Sequence, residues 1–73
     1  MVRQGIWKHS KSGREYKVIG IAKHSETLED MVVYEALYDN ELAKLWVRPA
    51  SMWEEEVEIE GVKQPRFVYV REL

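Results

Sequence analysis

Short runs of alternating apolar and polar residues, separated by turn residues, cover most of this chain. The first run occupies residues 5–9, and the polar turn at residues 10–13 contains Gly13, which can adopt the positive φ of a tight turn. Residues 15–24 are apolar on both alternating faces around Gly20, which is typical of a strand with a bend or bulge. We therefore predict a hairpin whose second strand is shared between two parts of a sheet.

The rest of the chain continues this pattern. Four further strands are predicted, at residues 31–38, 43–49, 53–60 and 66–70. Pro49 ends its strand because it has no N–H to donate, and residues 49–53 have the length of a single helical or 3₁₀ turn that begins at proline. In residues 53–60 apolar side chains alternate with glutamates, so one face of that strand is expected to be solvated.

Five or six short strands joined by connections of two to seven residues predict a strongly bent sheet closed into a barrel. The expected fold is all-β, an SH3-like barrel with one short 3₁₀ turn, in a single domain spanning residues 1–73. An OB-fold is the alternative. It usually has more residues and a helix between its strands, for which this pattern leaves no place.

Composition narrows the class of protein. Of the 73 residues 45% are apolar, enough for a packed core, and there is no cysteine, which excludes disulfides and zinc-thiolate sites. The start of the chain lacks an apolar signal core, and no apolar run approaches the roughly 18 residues of a spanning helix. We expect a cytoplasmic protein that does not enter a membrane.

Charge is unevenly distributed although the net charge is only −2. Residues 1–24 carry six basic residues and one acid, whereas residues 25–60 carry eleven acids and two basic residues. Nucleic-acid binding would use the basic first third together with Trp7 and Tyr16. Because a clearly basic domain is expected for that task, nucleic acid is not an expected partner.

The segment Trp46-Val47-Arg48-Pro49 suggests a binding site at the end of a strand. Alternation places Trp46 and Arg48 on the same face, and a guanidinium offers a fork of donors that fits a carboxylate or phosphate. Distant segments supply further polar and aromatic candidates. The predicted ligand-binding residues are His24, Ser25, Glu26, Thr27, Tyr34, Tyr38, Trp46, Arg48 and Arg66.

Structural roles compete with this interpretation. Arg48 and Arg66 can instead pair with Glu26, Glu54 or Glu55, and residues 24–27 can form a loop held by local hydrogen bonds to the backbone. Both alternatives remain open from the sequence.

Catalysis and metal binding have little support. Glu26 beside His24 is the one plausible acid–base pair, and no nucleophile elbow or glycine-rich phosphate loop accompanies it. His9 and His24 are fifteen residues apart without a third ligand nearby, so neither a metal nor a cofactor is predicted.

We expect a non-enzymatic binding module with a groove for a small anionic or nucleotide-like ligand. The alternative is a module that docks a partner protein through an aromatic and arginine surface.

Six segments in the same order resemble a bacterial family called domain of unknown function 1653. They are GIWKH (5–9), YKV (16–18), AKHSET (22–27), VYEALY (33–38), WVRP (46–49) and PRF (65–67). The resemblance covers nearly the whole chain and implies a small SH3-type β-barrel without an established activity. The positions that match the family's signature are His9, His24, Ser25, Glu26, Thr27, Tyr34, Tyr38, Trp46, Arg48, Pro49, Arg66 and Phe67. This chain departs from the family at Trp7 and Trp53, where smaller aromatics are usual, and in a longer connection at 39–44.

Overall fold

The computed structural model describes residues 2–39 and 41–73. Within these residues the chain forms seven strands and one helical turn. In chain order they are β1 (Gly5–His9), β2 (Glu15–Lys23), β3 (Asp30–Ala36), β4 (Leu45–Pro49), α1 (Ala50–Trp53), β5 (Glu56–Ile59), β6 (Val62–Pro65) and β7 (Phe67–Arg71). The prediction of an all-β fold is confirmed.

Five of the strands form one antiparallel sheet in the order β4-β3-β2-β1-β7, and β5 pairs with β6 as a separate hairpin. The edge strands of the large sheet are β4 and β7. Hydrogen bonds therefore do not close the described part of the chain into the barrel that we expected from the sequence. The chain leaves β4 through Pro49 directly into α1, and α1 packs against β3 and β4.

Two local predictions differ from the structure. The turn after Pro49 is α-helical rather than 3₁₀, because the Glu54 N–H donates to the Ala50 carbonyl at 3.1 Å, and Trp53 belongs to this turn instead of to a strand. The connection between the predicted strands at 53–60 and 66–70, which the sequence indicates as a hairpin turn at residues 61–64, contains most of β6, and this raises the strand count from five or six to seven. Lys63 lies opposite Glu58 in that hairpin, so cross-strand pairing with an opposite charge compensates for weak β-propensity.

Strand register determines which side chains form the core. Tyr34 on β3 lies opposite Val18 on β2 and Trp46 on β4, and Val32 lies opposite Arg48. Laterally paired residues in a sheet share a face, so Trp46 and Arg48 both lie on the inner side, as their alternation predicts. The predicted bulge at Gly20 is also confirmed, since the β2–β3 register shifts between Val18 and Gly20.

Trp53 fills the concave side of the sheet. Its side chain is 1% exposed and stacks on Phe67 of β7, with ring centroids 3.7 Å apart and planes at 6°. Trp7 and Tyr34 contact the same indole edge-on at 5.9 and 4.9 Å. The buried core consists of Val2, Val18, Val32, Tyr34, Trp53 and Phe67. Burial of each large side chain contributes roughly 1.5–3 kcal/mol, so aromatic packing supplies much of the stability.

The two hairpin loops on either side of β2 share one hydrogen-bond pattern. In residues 9–14 and 24–29 the first residue is histidine, whose N–H donates to the carbonyl five residues later at 2.9 Å. Its carbonyl accepts from the N–H four residues later at 2.8 Å, and its Nδ1 accepts from the N–H groups two and three residues later. The fifth residue of each loop has positive φ, 76° at Gly13 and 64° at Leu28.

Leu28 is strained by this geometry, because a side chain in the left-handed region costs roughly 1–2 kcal/mol relative to the right-handed one. The side chain is 67% exposed, so it gains little from burial. Since asparagine tolerates positive φ better, we expect Leu28→Asn to raise the free energy of unfolding by about 0.5–1 kcal/mol in urea titrations. Leu42→Asn, at an 85% exposed leucine without positive φ, should give no gain. Equal effects in the two variants would contradict this explanation.

Gly5 is required where β1 approaches β7. It has φ 144°, and a Cβ atom there would lie 2.7 Å from the Arg71 carbonyl oxygen and 2.6 Å from the Tyr69 ring. We expect Gly5→Ala to lower the free energy of unfolding by about 1–3 kcal/mol, because the β1–β7 ladder must shift. Gly20→Ala is the matched control, since its Cβ would have no neighbour within 4 Å. Urea denaturation that ranks the two variants equally would refute the prediction.

Candidate functional site

An open pocket of about 210 Å³ lies on the inner side of the sheet, beside the aromatic core. Its lining residues come from β2, β3, the β3–β4 connection and β4; they are Tyr16, Tyr34, Tyr38, Trp46 and Arg48. The β3–β4 register brings Tyr34 next to Trp46 and places Arg48 one pair further along the same face. Four aromatic side chains and one guanidinium therefore surround a single hollow.

Tyr16 contacts two of the other aromatic residues that line this pocket. Its ring meets Tyr34 and Tyr38 edge-on, with centroids 5.4 and 5.6 Å apart, and its hydroxyl lies 3.2 Å from the Tyr38 hydroxyl. Burial, followed by the hydrogen bond with Tyr38, raises the pKa of Tyr16 to about 12. The phenol is therefore neutral at physiological pH. Arg14 lies over the Tyr38 ring, with Cζ 4.5 Å from the centroid, which adds positive charge at the rim.

Arg48 is the charged group of the pocket wall. It is half-buried, its Nε is fully buried without a hydrogen-bond partner, and Cζ lies 5.7 Å from the centroid of the Phe67 ring. Three other arginines pair with acids: Arg3 with Glu72, Arg66 with Glu55 and Arg71 with Glu15. Among the described residues Arg48 has no acidic partner. A partly buried charge without a partner is costly.

Arg66 adds a second positive charge beside the pocket without lining it. Its guanidinium contacts the Glu55 carboxylate at 3.7 Å, and its Nε is buried without a partner. The backbone also holds it in place, because its N–H donates to the Glu55 carbonyl and its carbonyl accepts from the Ser10 N–H. The predicted ion pair of Arg66 with Glu55 is thus present, whereas none of the three acids proposed as partners pairs with Arg48.

His9 lies between these two arginines and Phe67, and sequence reasoning did not include it in the site. Its ring contacts Phe67 edge-on at 5.0 Å, and its Nδ1 accepts from the N–H groups of Lys11 and Ser12 at 3.1 and 3.4 Å. Burial lowers the pKa of His9 below 6.5, and the charges of Arg66, Arg48 and Lys11 lower it further. The imidazole is therefore neutral at physiological pH, and it lies in a region of positive charge.

The remaining predicted residues, His24, Ser25, Glu26 and Thr27, lie in the hairpin loop between β2 and β3. The Nδ1 of His24 accepts from the backbone N–H groups of Glu26 and Thr27 at 3.1 and 3.3 Å. The Thr27 hydroxyl accepts from the Glu29 N–H at 3.3 Å. Tyr16 lies seven residues along β2 from Lys23, roughly 23 Å for an extended strand. The loop is a locally bonded turn that contributes nothing to the pocket lining.

The structure thus brings together four of the nine predicted residues, Tyr34, Tyr38, Trp46 and Arg48, and places Arg66 nearby. The pocket and its surroundings also include Tyr16, His9 and Arg14, which were not among the residues predicted from the sequence. His-Ser-Lys-Ser at 9–12 resembles His-Ser-Glu-Thr at 24–27, which indicates the shared loop geometry but not the position of His9 near the arginines. Tyr16 carried no comparable signal because a tyrosine in an apolar strand is ordinarily a core residue.

The described residues show neither a cluster of metal ligands nor a membrane-spanning helix. Within 2–39 and 41–73 no group of three histidine, aspartate or glutamate side chains is arranged to hold a metal ion. The same part of the chain contains no helix of the length and apolar character needed to cross a membrane.

The lowered pKa of His9 makes folding sensitive to acid. Since the unfolded chain binds a proton near pH 6.5 and the folded chain only at lower pH, the free energy of unfolding should fall as pH drops through 6.5. In His9→Asn the amide oxygen can accept the same backbone N–H groups but does not titrate, so its stability should depend less on pH. Urea titrations between pH 7.5 and 5 measure both slopes. Identical slopes would exclude His9 as the source.

Comparisons with known proteins agree on one family. The model of the family described as "Protein of unknown function (DUF1653)" matches residues 5–69. The crystal structure of a protein belonging to DUF1653 from Bordetella bronchiseptica superposes with a TM-score of 0.91 at 36% sequence identity, over 99% of this chain and 91% of that one. No curated protein matches. With most of its length covered by the family model and by a solved member, the chain belongs to the DUF1653 family.

Proposed function

We propose that this protein is a non-enzymatic binding module whose pocket accepts the anionic end of a small ligand. The observation that carries the proposal is Arg48, a half-buried guanidinium in a pocket wall without an acidic partner among the described residues. A bound carboxylate or phosphate would supply that partner through charge-assisted hydrogen bonds.

The sign of the ligand's charge follows from the surroundings. Four aromatic rings alone would also suit a cation, which binds to ring faces. Here Arg48 lines the pocket and Arg14 already covers the face of Tyr38, so a second cation would be repelled. The pKa of His9 is lowered mainly by burial, and the positive charges of Arg66 and Arg48, which lower it further, act in the same direction. An anion is therefore the favoured ligand.

Pocket size limits how much of the ligand is enclosed. A volume of about 210 Å³ is below the roughly 300–1,000 Å³ of pockets that enclose whole drug-sized molecules. The pocket fits a carboxylate or phosphate with a few neighbouring atoms. In a nucleotide-like ligand the base would lie outside, against Trp46, whose indole is fixed by donating to the Ala43 carbonyl at 3.1 Å. This supports recognition of an anionic head group with a flat substituent.

The non-enzymatic part of the proposal rests on the lining residues. General acid–base catalysis needs a titratable group within hydrogen-bond reach of the reacting atoms. Among the described residues the lining contains no carboxylate and no imidazole, and Tyr16, with a pKa of about 12, is a poor base at neutral pH. Glu26 and His24, the acid–base pair considered from sequence, lie in the distant hairpin loop.

Docking of a partner protein is the second candidate. A pocket of side-chain size, with arginine and aromatic walls, also fits an acidic side chain or a C-terminal carboxylate from another protein. The two candidates differ in whether a free small ligand is sufficient. Binding of an acidic peptide but of no small anion would favour docking.

The test is calorimetric titration with inorganic phosphate, benzoate and adenosine monophosphate. We expect Arg48→Gln to weaken binding about 10- to 100-fold, because charge-assisted hydrogen bonds contribute roughly 1.5–3 kcal/mol. Arg48→Lys should recover only part of the affinity, since lysine lacks the fork of donors. Arg71→Gln is the matched control, removing an exposed arginine that pairs with Glu15 away from the pocket. Unchanged affinity in Arg48→Gln would refute this site.

A further inference from the structure

A second and larger cavity lies among the aromatic side chains of the core. Its volume is about 380 Å³, within the range of small-molecule sites. The principal walls are Trp7, Trp53, Phe67 and Tyr69, with Val2 and Pro65 at the sides. None of these residues lines the Arg48 pocket, so the two cavities are separate. Phe67 stands between them, since its ring contacts Arg48 and Tyr16 as well as Trp53.

The walls of this cavity are aromatic planes at steep angles to each other. Trp7 meets Trp53 at 81° and Tyr69 at 75°, with centroids 5.9 and 5.6 Å apart. Such a lining offers both ring faces and ring edges to a flat molecule. The shape alone favours an aromatic ligand over a flexible chain.

The indole N–H of Trp53 has no hydrogen-bond partner among the described residues, so a ligand for this cavity needs a hydrogen-bond acceptor. The indole N–H of Trp7 donates to the Arg3 carbonyl at 3.0 Å, and that of Trp46 donates to the Ala43 carbonyl at 3.1 Å. Trp53 is the most deeply buried of the three, yet its Nε1 has no partner among the described residues. The hydroxyl of Tyr69 is likewise buried and unpartnered. A buried donor without a partner lowers stability, and a ligand with an acceptor would recover that loss at the Trp53 nitrogen.

Charge distinguishes this cavity from the Arg48 pocket. Its one charged lining residue among those described is Glu54, which lies at the end of α1, and no basic side chain lines it. An anionic ligand would be repelled by Glu54, and the cation at the Tyr69 wall, Arg3, lies over that ring with Cζ 4.3 Å from the centroid and already pairs with Glu72. The ligand class is therefore uncharged as well as flat.

Val2 is the wall that can move to admit a ligand. It packs in the core at 6% exposure, but it lies before β1, where no sheet ladder holds the backbone. Because the Trp53 nitrogen is enclosed, an acceptor reaches it only when a neighbouring side chain shifts. Val2 precedes β1, so its displacement breaks no strand pairing.

We propose that the cavity formed by Trp7, Trp53, Phe67 and Tyr69 is a second binding site, for a flat uncharged aromatic molecule that carries a hydrogen-bond acceptor such as a ring carbonyl. The acceptor takes the hydrogen bond of the Trp53 indole N–H, and the rings of Trp7 and Tyr69 pack on the ligand.

The experiment is a ¹H–¹⁵N titration that follows the three indole N–H resonances, assigned with Trp→Phe variants. The probes are N-methyl-2-quinolone, naphthalene and 1-naphthoate, which are similar in shape and differ in acceptor and charge. The quinolone should shift the Trp53 resonance most and bind about tenfold more tightly than naphthalene. The Trp46 resonance, on the other side of the core, is the internal reference and should stay in place with the quinolone and naphthalene, whereas 1-naphthoate should shift it through the Arg48 pocket. Absence of a Trp53 shift, or equal affinity for naphthalene or naphthoate as measured at the Trp53 resonance, would overturn the proposal.

Paired variants of two exposed glutamates test the location without disturbing the core. Glu54 lines the cavity and Glu56 does not. Glu54→Lys should allow 1-naphthoate to shift the Trp53 resonance, because a cation replaces the carboxylate that repels the anion, whereas Glu56→Lys should not. A naphthoate-induced shift of Trp53 in both variants, or in neither, would place the ligand elsewhere.

Discussion

The stacked contact between Trp53 and Phe67 is the interaction on which the rest of this structure depends. It joins the helical turn after β4 to the last strand of the sheet, two elements that no ladder connects in the described chain. The centroid separation of 3.7 Å at 6° leaves no room for water between the rings. Both cavities are arranged around this pair, because the Arg48 pocket adjoins Phe67 and the apolar cavity is lined by both rings.

Unbalanced positive charge explains the proposed function better than any single motif does. Arg48 has no acidic partner among the described residues, and Arg66 has its Nε buried and unpartnered despite its contact with Glu55. Burial lowers the pKa of His9, the charges of these two guanidinium groups lower it further, and the neutral ring accepts backbone hydrogen bonds in its loop. The proposed preference for an anion draws on the same positive charges, which add to the effect of burial at His9.

Much of the fold was predictable from local patterns, and the errors have identifiable physical reasons. The strand at Gly5–His9, the bulge at Gly20 and the shared face of Trp46 and Arg48 follow from alternation and glycine placement. Strand β6 was missed because Lys63 and Gln64 have weak β-propensity and are ordered by pairing with β5. At the site, Tyr16 and His9 were missed because their importance comes from neighbours distant in sequence. The loop at residues 24–27 was included although its polar atoms bond locally.

By itself the sequence determined the all-β class, the positions of most strands, the family and the side of β4 on which Trp46 and Arg48 lie. These properties depend on periodicity and turn residues within short segments, which act before the chain is folded. Tertiary structure decided which arginine finds an acid, which histidine lies beside two cations, and which indole N–H is buried without an acceptor. Those outcomes depend on distances between β2, β4, α1 and β7, and such distances exist only once the sheet bends around Trp53.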